Sequence, residues 1–152
     1  MPLWTVKAFA ELTAVDIYAL LKLRQDIFCL EQNCLYADID NLDQSAHHVM
    51  LWHKDELLAY SRCLPPTTSD KNSSSIGRVA VIPKARGQQT GRLLMEQSIA
   101  FNLEHYPAKN ICISAQLHLQ LFYSSLGFVS QGEAYSEDGI DHIKMLLPVT
   151  SA

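Results

Sequence analysis

The chain has 152 residues, of which 48% are hydrophobic and 18% are charged, and its formal net charge at pH 7 is -4. This length fits a single domain over residues 1–152, with an ordinary globular composition. The net acidity argues against a nucleic-acid partner, because phosphate contacts need clustered Lys and Arg. No apolar run approaches the ~18 residues that cross a bilayer, and residues 1–7 lack the pattern of a signal peptide. We therefore expect no membrane partner and a cytoplasmic location.

The cysteine spacing bears on metal binding and on the redox state of the thiols. No C-x-x-C pair is present, and three of the four cysteines lie in apolar runs. This arrangement is unlike a zinc site and predicts reduced, mostly buried thiols with no bound metal. The cysteines are Cys29, Cys34, Cys63 and Cys112.

The N-terminal third predicts a strand, a long helix and a loop. The strand covers residues 3–9. Thr13, with Asp16 three residues later, has the pattern of a helix N-cap, and apolar residues at helical spacing extend this helix to about Cys29. The polar, acidic segment 31–44 predicts a loop or a short helix.

The middle of the chain predicts three strands and a second helix. Two strands, 48–52 and 57–63, flank a hairpin-sized loop. Residues 65–75 contain Pro-Pro at one end and three serines at the other, which predicts a flexible surface loop. An apolar strand over 76–82 then leads, through a short polar turn, into a helix over 92–105.

The C-terminal third predicts a buried strand over 111–113, a helix over 117–125, and two strands, 128–135 and 142–147, that pair around a Glu-Asp-Gly turn. The complete order is β, α, β, β, β, α, β, α, β, β. Runs of antiparallel strands with crossover helices predict an α/β (α+β) fold. We expect a mixed, mostly antiparallel central sheet with helices on both faces.

The turn between the third strand of the middle region and its helix is the most informative part of the chain. A strand followed by a turn and a helix leaves unpaired backbone N–H groups at the positive end of the helix, where phosphate or diphosphate binds. Gly91 would let the backbone approach an oxygen closely. The residues expected to bind this ligand are Arg86, Gly87, Gln88, Gln89, Thr90, Gly91 and Arg92.

These residues resemble the pyrophosphate loop of the GNAT acyl-coenzyme A-dependent N-acyltransferases, which reads Arg/Gln-x-x-Gly-x-Gly/Ala. Arg86 and Gly91 match it, whereas Gln89 stands where the family usually has its middle glycine. Segment 122–128, FYSSLGF, is similar to the family's helix-borne tyrosine and the Gly-Phe that follows it. Further segments are similar to the ElaA-type GNAT proteins, a subfamily that tolerates a non-glycine at position 89. They are residues 24–34, 36–40 and 137–142.

The resemblance covers essentially the whole chain and implies a GNAT acyltransferase fold that uses acetyl-coenzyme A (acetyl-CoA) as co-substrate. It implies that the pantetheine amides pair with the backbone of Val79, Ala80 and Val81 like an added strand. It also places the family's tyrosine at Tyr123, where a phenol can donate a proton to the departing thiolate. An N–H group of the same strand is a candidate donor to the oxyanion.

The expected function is transfer of an acetyl group from acetyl-CoA to a primary amine by direct attack on the thioester. The alternative, prompted by Gln89, is a non-catalytic coenzyme A-binding or regulatory module with the same fold. A nucleotide binder that uses the same loop is a third class.

The base that deprotonates the amine is left open by the sequence. His142 ranks first because it lies in a segment that matches the ElaA-type proteins. His47, His48 and Glu31 are further candidates, and a water relay is another route. His47 and His48 are adjacent on one predicted strand, so at most one of them points to a given site.

A polar cluster near the end of the first helix is the predicted acceptor pocket, formed by Arg24, Glu31, Gln32 and Asn33. Two acidic loops could steer a cationic amine toward it. Their aspartates are Asp38, Asp40 and Asp43 in the first loop, and Asp138 and Asp141 in the second. The resemblance also allows a homodimer.

Overall fold

The computed structural model of the protein describes residues 1–149, so the last three residues of the predicted domain, 150–152, lie outside the described part. The strands are β1 (Leu3–Ala8), β2 (His47–His53), β3 (Glu56–Leu64), β4 (Ser73–Val81), β5 (Asn110–Gln116), β6 (Val129–Glu137) and β7 (Ile140–Leu147). The helices are α1 (Ala14–Arg24), α2 (Thr90–His105) and α3 (Gln120–Ser124). The element order and the helical cap agree with the sequence prediction.

Helix α1 begins with a defined cap and continues into a second helical segment. The Thr13 hydroxyl accepts a hydrogen bond from the Asp16 N–H, and the Asp16 carboxylate accepts one from the Thr13 N–H, which is the capping-box arrangement. After α1 the chain continues as a π-helical segment, Gln25–Glu31. Asn33, with φ 49°, ends this segment in the left-handed conformation typical of a helix C-terminus. The helix is therefore predicted at the correct position. The observed helical segment extends two residues further than predicted, to Glu31, and its second part is π-helical.

All seven strands form one sheet with the order β1-β2-β3-β4-β5-β7-β6. Only β4 and β5 are parallel, and they pair at just three positions, residues 73–75 with 110–112. The predicted mixed, mostly antiparallel sheet is confirmed. Beyond Ser75 the two parallel strands separate, and this gap in the sheet determines where the candidate site lies.

Ser73 and Ser74 contradict the prediction of a flexible loop that reaches residue 75. They are buried and form the start of β4, because their backbone pairs with β5 and the Ser74 hydroxyl accepts a hydrogen bond from Asn102 Nδ2 at 3.0 Å. A serine-rich segment reads as a loop when its partners are unknown, but satisfied serines are compatible with a buried strand.

The hydrophobic core lies on both faces of the sheet, as alternation along β2 illustrates. Val49 and Leu51 pack on the face covered by α2 and α3, while Met50 packs on the face covered by α1. Such alternation is what a strand between two helical layers requires. Within residues 1–149, none of the helices is long and apolar enough to cross a membrane.

The β6–β7 hairpin turns through Asp138 and Gly139, which have φ of 51° and 81°. Two consecutive residues with positive φ form the tight turn that Asp-Gly favours, so this prediction is confirmed. The expectation of mostly buried thiols is only partly correct. All four cysteines are free, but Cys63 alone is buried and the others are partly exposed.

Candidate active site

A cavity of about 1100 Å³ lies where β4 and β5 separate. We call it the β4–β5 cleft. Pairing of β4 with β5 stops at Ser75. Over residues 76–81, β4 pairs with β3 on one edge, and its other edge has no strand partner within the described chain. The cleft continues between the π-helical segment and the β6–β7 turn, where Cys34 Sγ donates a hydrogen bond to the carbonyl oxygen of Asp138 at 3.2 Å.

One end of the β4–β5 cleft is the turn that precedes α2. The amides of residues 87–92 donate to no backbone or side-chain acceptor within residues 1–149. Six consecutive free N–H groups stand at the start of a 16-residue helix, where the helix dipole adds positive potential that favours an anion. This is the arrangement that the sequence predicts for a diphosphate.

Glycine and glutamine have different roles in this turn. Gly87 has φ 76° and Gln89 has φ 65°, so both occupy the left-handed region that favours glycine. The positive φ at position 89 explains why the family usually has glycine there. Gln89 nevertheless adopts this left-handed backbone conformation. A Cβ placed on Gly91 would meet only ordinary contacts, at 3.9 Å from Phe122 and 4.0 Å from Val81. The protein itself therefore does not require glycine at position 91, which suits a position reserved for close approach of a ligand.

Arg86 connects the turn before α2 to the π-helical segment. Its Nε donates to the carbonyl oxygen of Val81 at 2.9 Å. Its two terminal nitrogens donate to the two carboxylate oxygens of Glu31, at 2.6 and 2.7 Å. This ion pair lowers the pKa of Glu31, because the guanidinium hydrogen bonds favour the charged carboxylate.

Tyr123 lies on α3 and lines the same cleft. It is only 7% exposed, and its ring packs edge-on against Phe122 and Phe128. Its hydroxyl has no hydrogen-bond partner among the described residues. Burial raises the pKa of Tyr123 to about 12, so the phenol keeps its proton at neutral pH and can act as a donor.

His142 lies on β7 and also lines the cleft. Its Nδ1 is 2.7 Å from the carbonyl oxygen of Ile140, and its Nε2 is 3.4 Å from Glu137 Oε2. Its ring stacks on Tyr135, with centroids 6.2 Å apart, and the Tyr135 hydroxyl hydrogen bonds to Ser114. These contacts orient the imidazole within the cleft.

The other histidine candidates for the base lie elsewhere. His48 is fully buried and contacts the Tyr60 hydroxyl and the carbonyl oxygen of Asp43. His47 points to the opposite face and packs on Phe101 and His105. Burial lowers the pKa of both imidazoles, and neither lines the β4–β5 cleft. The prediction that they face opposite sides of one strand is correct. Neither can serve as the base in this cleft, so both candidates were wrong.

Arg24 is a correction to the predicted acceptor pocket. It is fully buried and donates to Asp38 Oδ2 at 2.8 Å and to Asp43 Oδ1 at 2.7 Å. Its guanidinium therefore neutralises two buried carboxylates and does not reach the cleft. Asn33 is likewise outside the cleft, where its left-handed backbone ends the π-helical segment.

The acidic loop that contains these aspartates is neutralised as well. Arg62 donates to both carboxylate oxygens of Asp40 at 2.8 Å, and Arg78 donates to Asp38 Oδ1 at 2.8 Å. This loop therefore offers little free negative charge, contrary to the sequence hypothesis. On the β6–β7 hairpin, Glu137 and Asp138 line the cleft, whereas the exposed Asp141, which directly precedes His142, does not.

The structure brings most of the predicted site residues into one cavity. The predicted residues that line it are Glu31, Gln32, Val79, Ala80, Val81, Arg86, Gly87, Gly91, Tyr123 and His142. Arg92 contributes a free amide, but its side chain donates to Ser125 Oγ at 3.2 Å and pairs with Glu96. Gln88, Gln89 and Thr90 contribute their free amides and do not line the cavity itself.

Sequence reasoning missed Arg78 and Glu137. Arg78 has φ 50° at a bulge opposite β3, and no local pattern in the sequence marks this bulge. Glu137 was within reach of prediction, because a two-residue turn at 138–139 sets the hairpin register and brings Glu137 and His142 to one end of the hairpin. Within residues 1–149, no group of three His, Cys, Asp or Glu side chains is arranged to hold a metal ion.

Free amides at the start of a helix, a gap between two parallel strands and a buried tyrosine beside it are the features expected of the GNAT class of acyltransferases. A family model described as an acetyltransferase (GNAT) domain matches residues 24–148, and the chain belongs to this family. It is 42% identical over 151 residues to the protein ElaA of Escherichia coli (strain K12), with 98% of each chain covered.

Solved structures agree with this assignment. The chain is similar to an acyl-CoA N-acyltransferase from Pseudomonas aeruginosa, with a TM-score of 0.91 and 41% identity over 96% of this chain and 99% of that one. It is similar to E. coli ElaA with a TM-score of 0.90 and 41% identity, at the same coverage. The resemblance to ElaA-type GNAT proteins is thus confirmed, and family membership supports an acyltransferase.

Proposed function

We propose that the protein is an N-acetyltransferase that moves an acetyl group from acetyl-CoA to a primary amine by direct attack on the thioester. The observation that carries this proposal is the set of six free amides over residues 87–92. Two of these residues, Gly87 and Gly91, line the same cavity as Tyr123 and His142. A single domain over residues 1–152 would then contain the whole site. The free thiols of all four cysteines are compatible with a cytoplasmic enzyme.

The cofactor residues have separate tasks. The amides of residues 87–92 bind the diphosphate, and the unpaired edge of β4 at Val79, Ala80 and Val81 receives the pantetheine amides. The gap between β4 and β5 then admits the thioester toward Tyr123. An N–H group of β4 is available to stabilise the oxyanion that forms when the amine attacks.

The chemistry needs one proton acceptor and one donor. His142 accepts the amine proton at Nε2, because its Nδ1 is committed to the carbonyl oxygen of Ile140. Tyr123 donates its phenolic proton to the thiolate sulfur as the carbon–sulfur bond breaks. Its burial keeps that proton in place before the reaction, since the charged phenolate is disfavoured.

The acceptor is a cationic amine in this proposal. Glu137 and Asp138 lie at the acceptor end of the cleft, and Glu31 and Gln32 line its other wall. The charge that favours an ammonium group therefore comes from the β6–β7 turn, because arginines occupy the first acidic loop and Arg86 pairs with Glu31. A homodimer, which the family resemblance allows, stays a prediction.

The decisive experiment measures release of free thiol when the purified protein receives acetyl-CoA and a panel of amines that includes polyamines, lysine peptides and neutral-surfaced amines. We expect turnover with a cationic amine. Tyr123→Phe should lower kcat by about ten- to a thousandfold while the affinity for coenzyme A, measured by calorimetry, stays nearly unchanged. Tyr106→Phe is the matched control, because Tyr106 lies at the end of α2 and outside the cleft.

The results separate the competing classes. Binding of coenzyme A without thiol release for any amine would favour the non-catalytic module. Equal affinity for ADP and coenzyme A would favour a nucleotide binder, because ADP lacks the pantetheine arm and that arm would then contribute nothing to binding. Faster acetylation of neutral-surfaced amines than of polyamines at low salt would contradict a cationic acceptor.

A further inference from the structure

The ion pair between Arg86 and Glu31 joins the two halves of the β4–β5 cleft. Arg86 directly precedes the six free amides, whereas Glu31 is the last residue of the π-helical segment on the acceptor side. The pair is bidentate, with distances of 2.6 and 2.7 Å. Both side chains are about two-fifths exposed, at 43% and 41%. The contact can therefore exchange partners without unfolding any element.

A diphosphate on these amides would compete for the same guanidinium. Nε of Arg86 is anchored on the Val81 carbonyl oxygen, which keeps the guanidinium beside the turn whether or not Glu31 is bound. A diphosphate carries more negative charge than one carboxylate and accepts the same bidentate hydrogen bonds. The Glu31 carboxylate, held at that position, would also repel the diphosphate.

We infer that Arg86 exchanges Glu31 for the diphosphate of the cofactor, and that the released Glu31 carboxylate then binds the ammonium group of the acceptor. This inference rests on the proposed function. Glu31 is next to Gln32, whose side-chain oxygen accepts a hydrogen bond from Gln116 Nε2 at 3.3 Å. That contact holds the end of the π-helical segment against β5 in the cleft, so a released Glu31 remains at the acceptor wall.

Partner exchange makes cofactor binding and acceptor binding interdependent. Before the cofactor binds, Glu31 is neutralised and offers little attraction to an ammonium group. Once Arg86 turns to the diphosphate, the carboxylate becomes an available anion beside the cleft. Linkage between the two ligands follows, because each one favours the same state of the ion pair.

Glu31→Gln tests the exchange, because glutamine removes the competing charge with little change in volume. We expect calorimetry to show about two- to fivefold tighter binding of coenzyme A, the range for a partly exposed ion pair. For the best amine of the panel, KM should rise at saturating acetyl-CoA. Tighter binding of coenzyme A together with a higher KM for the amine is the expected signature, since general damage to the cleft would impair both ligands.

Glu56→Gln is the matched control. Glu56 pairs at 2.5 Å with Lys84, which lies on the short 3-10 turn Pro83–Ala85 directly before Arg86. Glu56→Gln changes the net charge by the same amount as Glu31→Gln. This variant should leave both affinities unchanged. In an Arg86→Met background, Glu31→Gln should have a smaller effect on coenzyme A affinity, because no ion pair remains to be broken.

Three results would overturn the inference. They are unchanged or weaker coenzyme A binding by Glu31→Gln, an equal effect of this substitution with and without Arg86, and an unchanged acceptor KM. In a crystal structure with coenzyme A, Arg86 still bidentate on Glu31 would overturn it as well. Failure of the wild-type protein to bind coenzyme A would instead remove the proposed function, and the inference with it.

Discussion

Nδ1 of His142 lies 2.7 Å from the carbonyl oxygen of Ile140. A carbonyl oxygen can only accept, so Nδ1 carries the hydrogen and the neutral ring has its lone pair on Nε2. Because the contact is with the backbone two residues earlier on the same strand, the tautomer is determined locally. The Glu137 Oε2 atom lies 3.4 Å from Nε2, at the same end of the hairpin.

His142→Gln tests the role of this imidazole. We expect kcat/KM for the amine to fall by about a hundred- to ten-thousandfold, because the variant cannot accept the proton. The affinity for coenzyme A should not change. Initial rates and calorimetry give the two values, with His53→Gln as the control at the end of β2, outside the cleft. Wild-type rates in His142→Gln would favour the water relay.

Arg24→Met tests the structural role of the buried guanidinium. Removal of Arg24 leaves Asp38 and Asp43 without their shared buried partner. Breaking a buried ion pair in this way costs about 3–5 kcal/mol of unfolding free energy. Urea denaturation measures the loss. Lys22→Met, which breaks an exposed pair with Asp26, should cost less than about 0.5 kcal/mol. Similar losses for both variants would contradict a buried network.

The ion pairs of Asp40 should make the unfolding free energy fall in acid. Burial alone would raise its pKa, but hydrogen bonds from Arg62 and from the Leu42 N–H, with the nearby guanidinium charges, hold the pKa of Asp40 at about 2, against an ordinary value of 3.8. A depressed pKa in the folded state stabilises the fold above the ordinary pKa, and this contribution disappears as the pH falls toward 2.

The comparison of wild type with Asp40→Asn isolates this effect. The unfolding free energy of the wild type should exceed that of the variant at pH 6, and the difference should shrink between about pH 4 and pH 2. Urea titrations across this range measure it. A difference that stays constant down to pH 2 would show that the Arg62 and Arg78 contacts do not stabilise the charged carboxylate.

The left-handed backbone of Gln89, in the turn that precedes α2, should restrict which side chains this position accepts. Its φ of 65° is tolerated by glutamine but not by a β-branched side chain. We expect Gln89→Val to lower the unfolding free energy by about 1 kcal/mol and to weaken coenzyme A binding, because the free amides lose their alignment. Gln89→Gly should retain both properties. Calorimetric melting and coenzyme A titration measure them, and equal behaviour of the two variants would be the contrary result.

The β6–β7 hairpin shows how far local patterns lead. Asp138 and Gly139 define a two-residue turn, and that turn alone sets the register of the strands on either side. The same holds for the cap at Thr13 and for the amides before α2, where each signal lies within a few residues of the structure it determines. The order of elements and the turn before α2 were predictable for this reason, whereas the choice of Tyr123 and His142 came from the family resemblance.

The partners of Arg24 were not predictable, because they depend on contacts between distant segments. Arg24 belongs to the first helix, and its carboxylate partners lie 14 and 19 residues later. Spacing along the chain does not reveal whether a guanidinium faces a ligand or a buried aspartate. Sequence alone therefore placed it in the acceptor pocket, whereas packing makes it part of a structural network.

Local sequence determined the elements of this protein and the chemical groups available at the turn before α2, because caps, turns and hydrophobic periodicity act over a few residues. The tertiary structure decided where β4 leaves β5, which histidine faces the resulting cleft, and which charges are already paired. Those outcomes depend on the packing of whole elements against each other, and on the free energy of removing each charge from water, which only the complete fold defines.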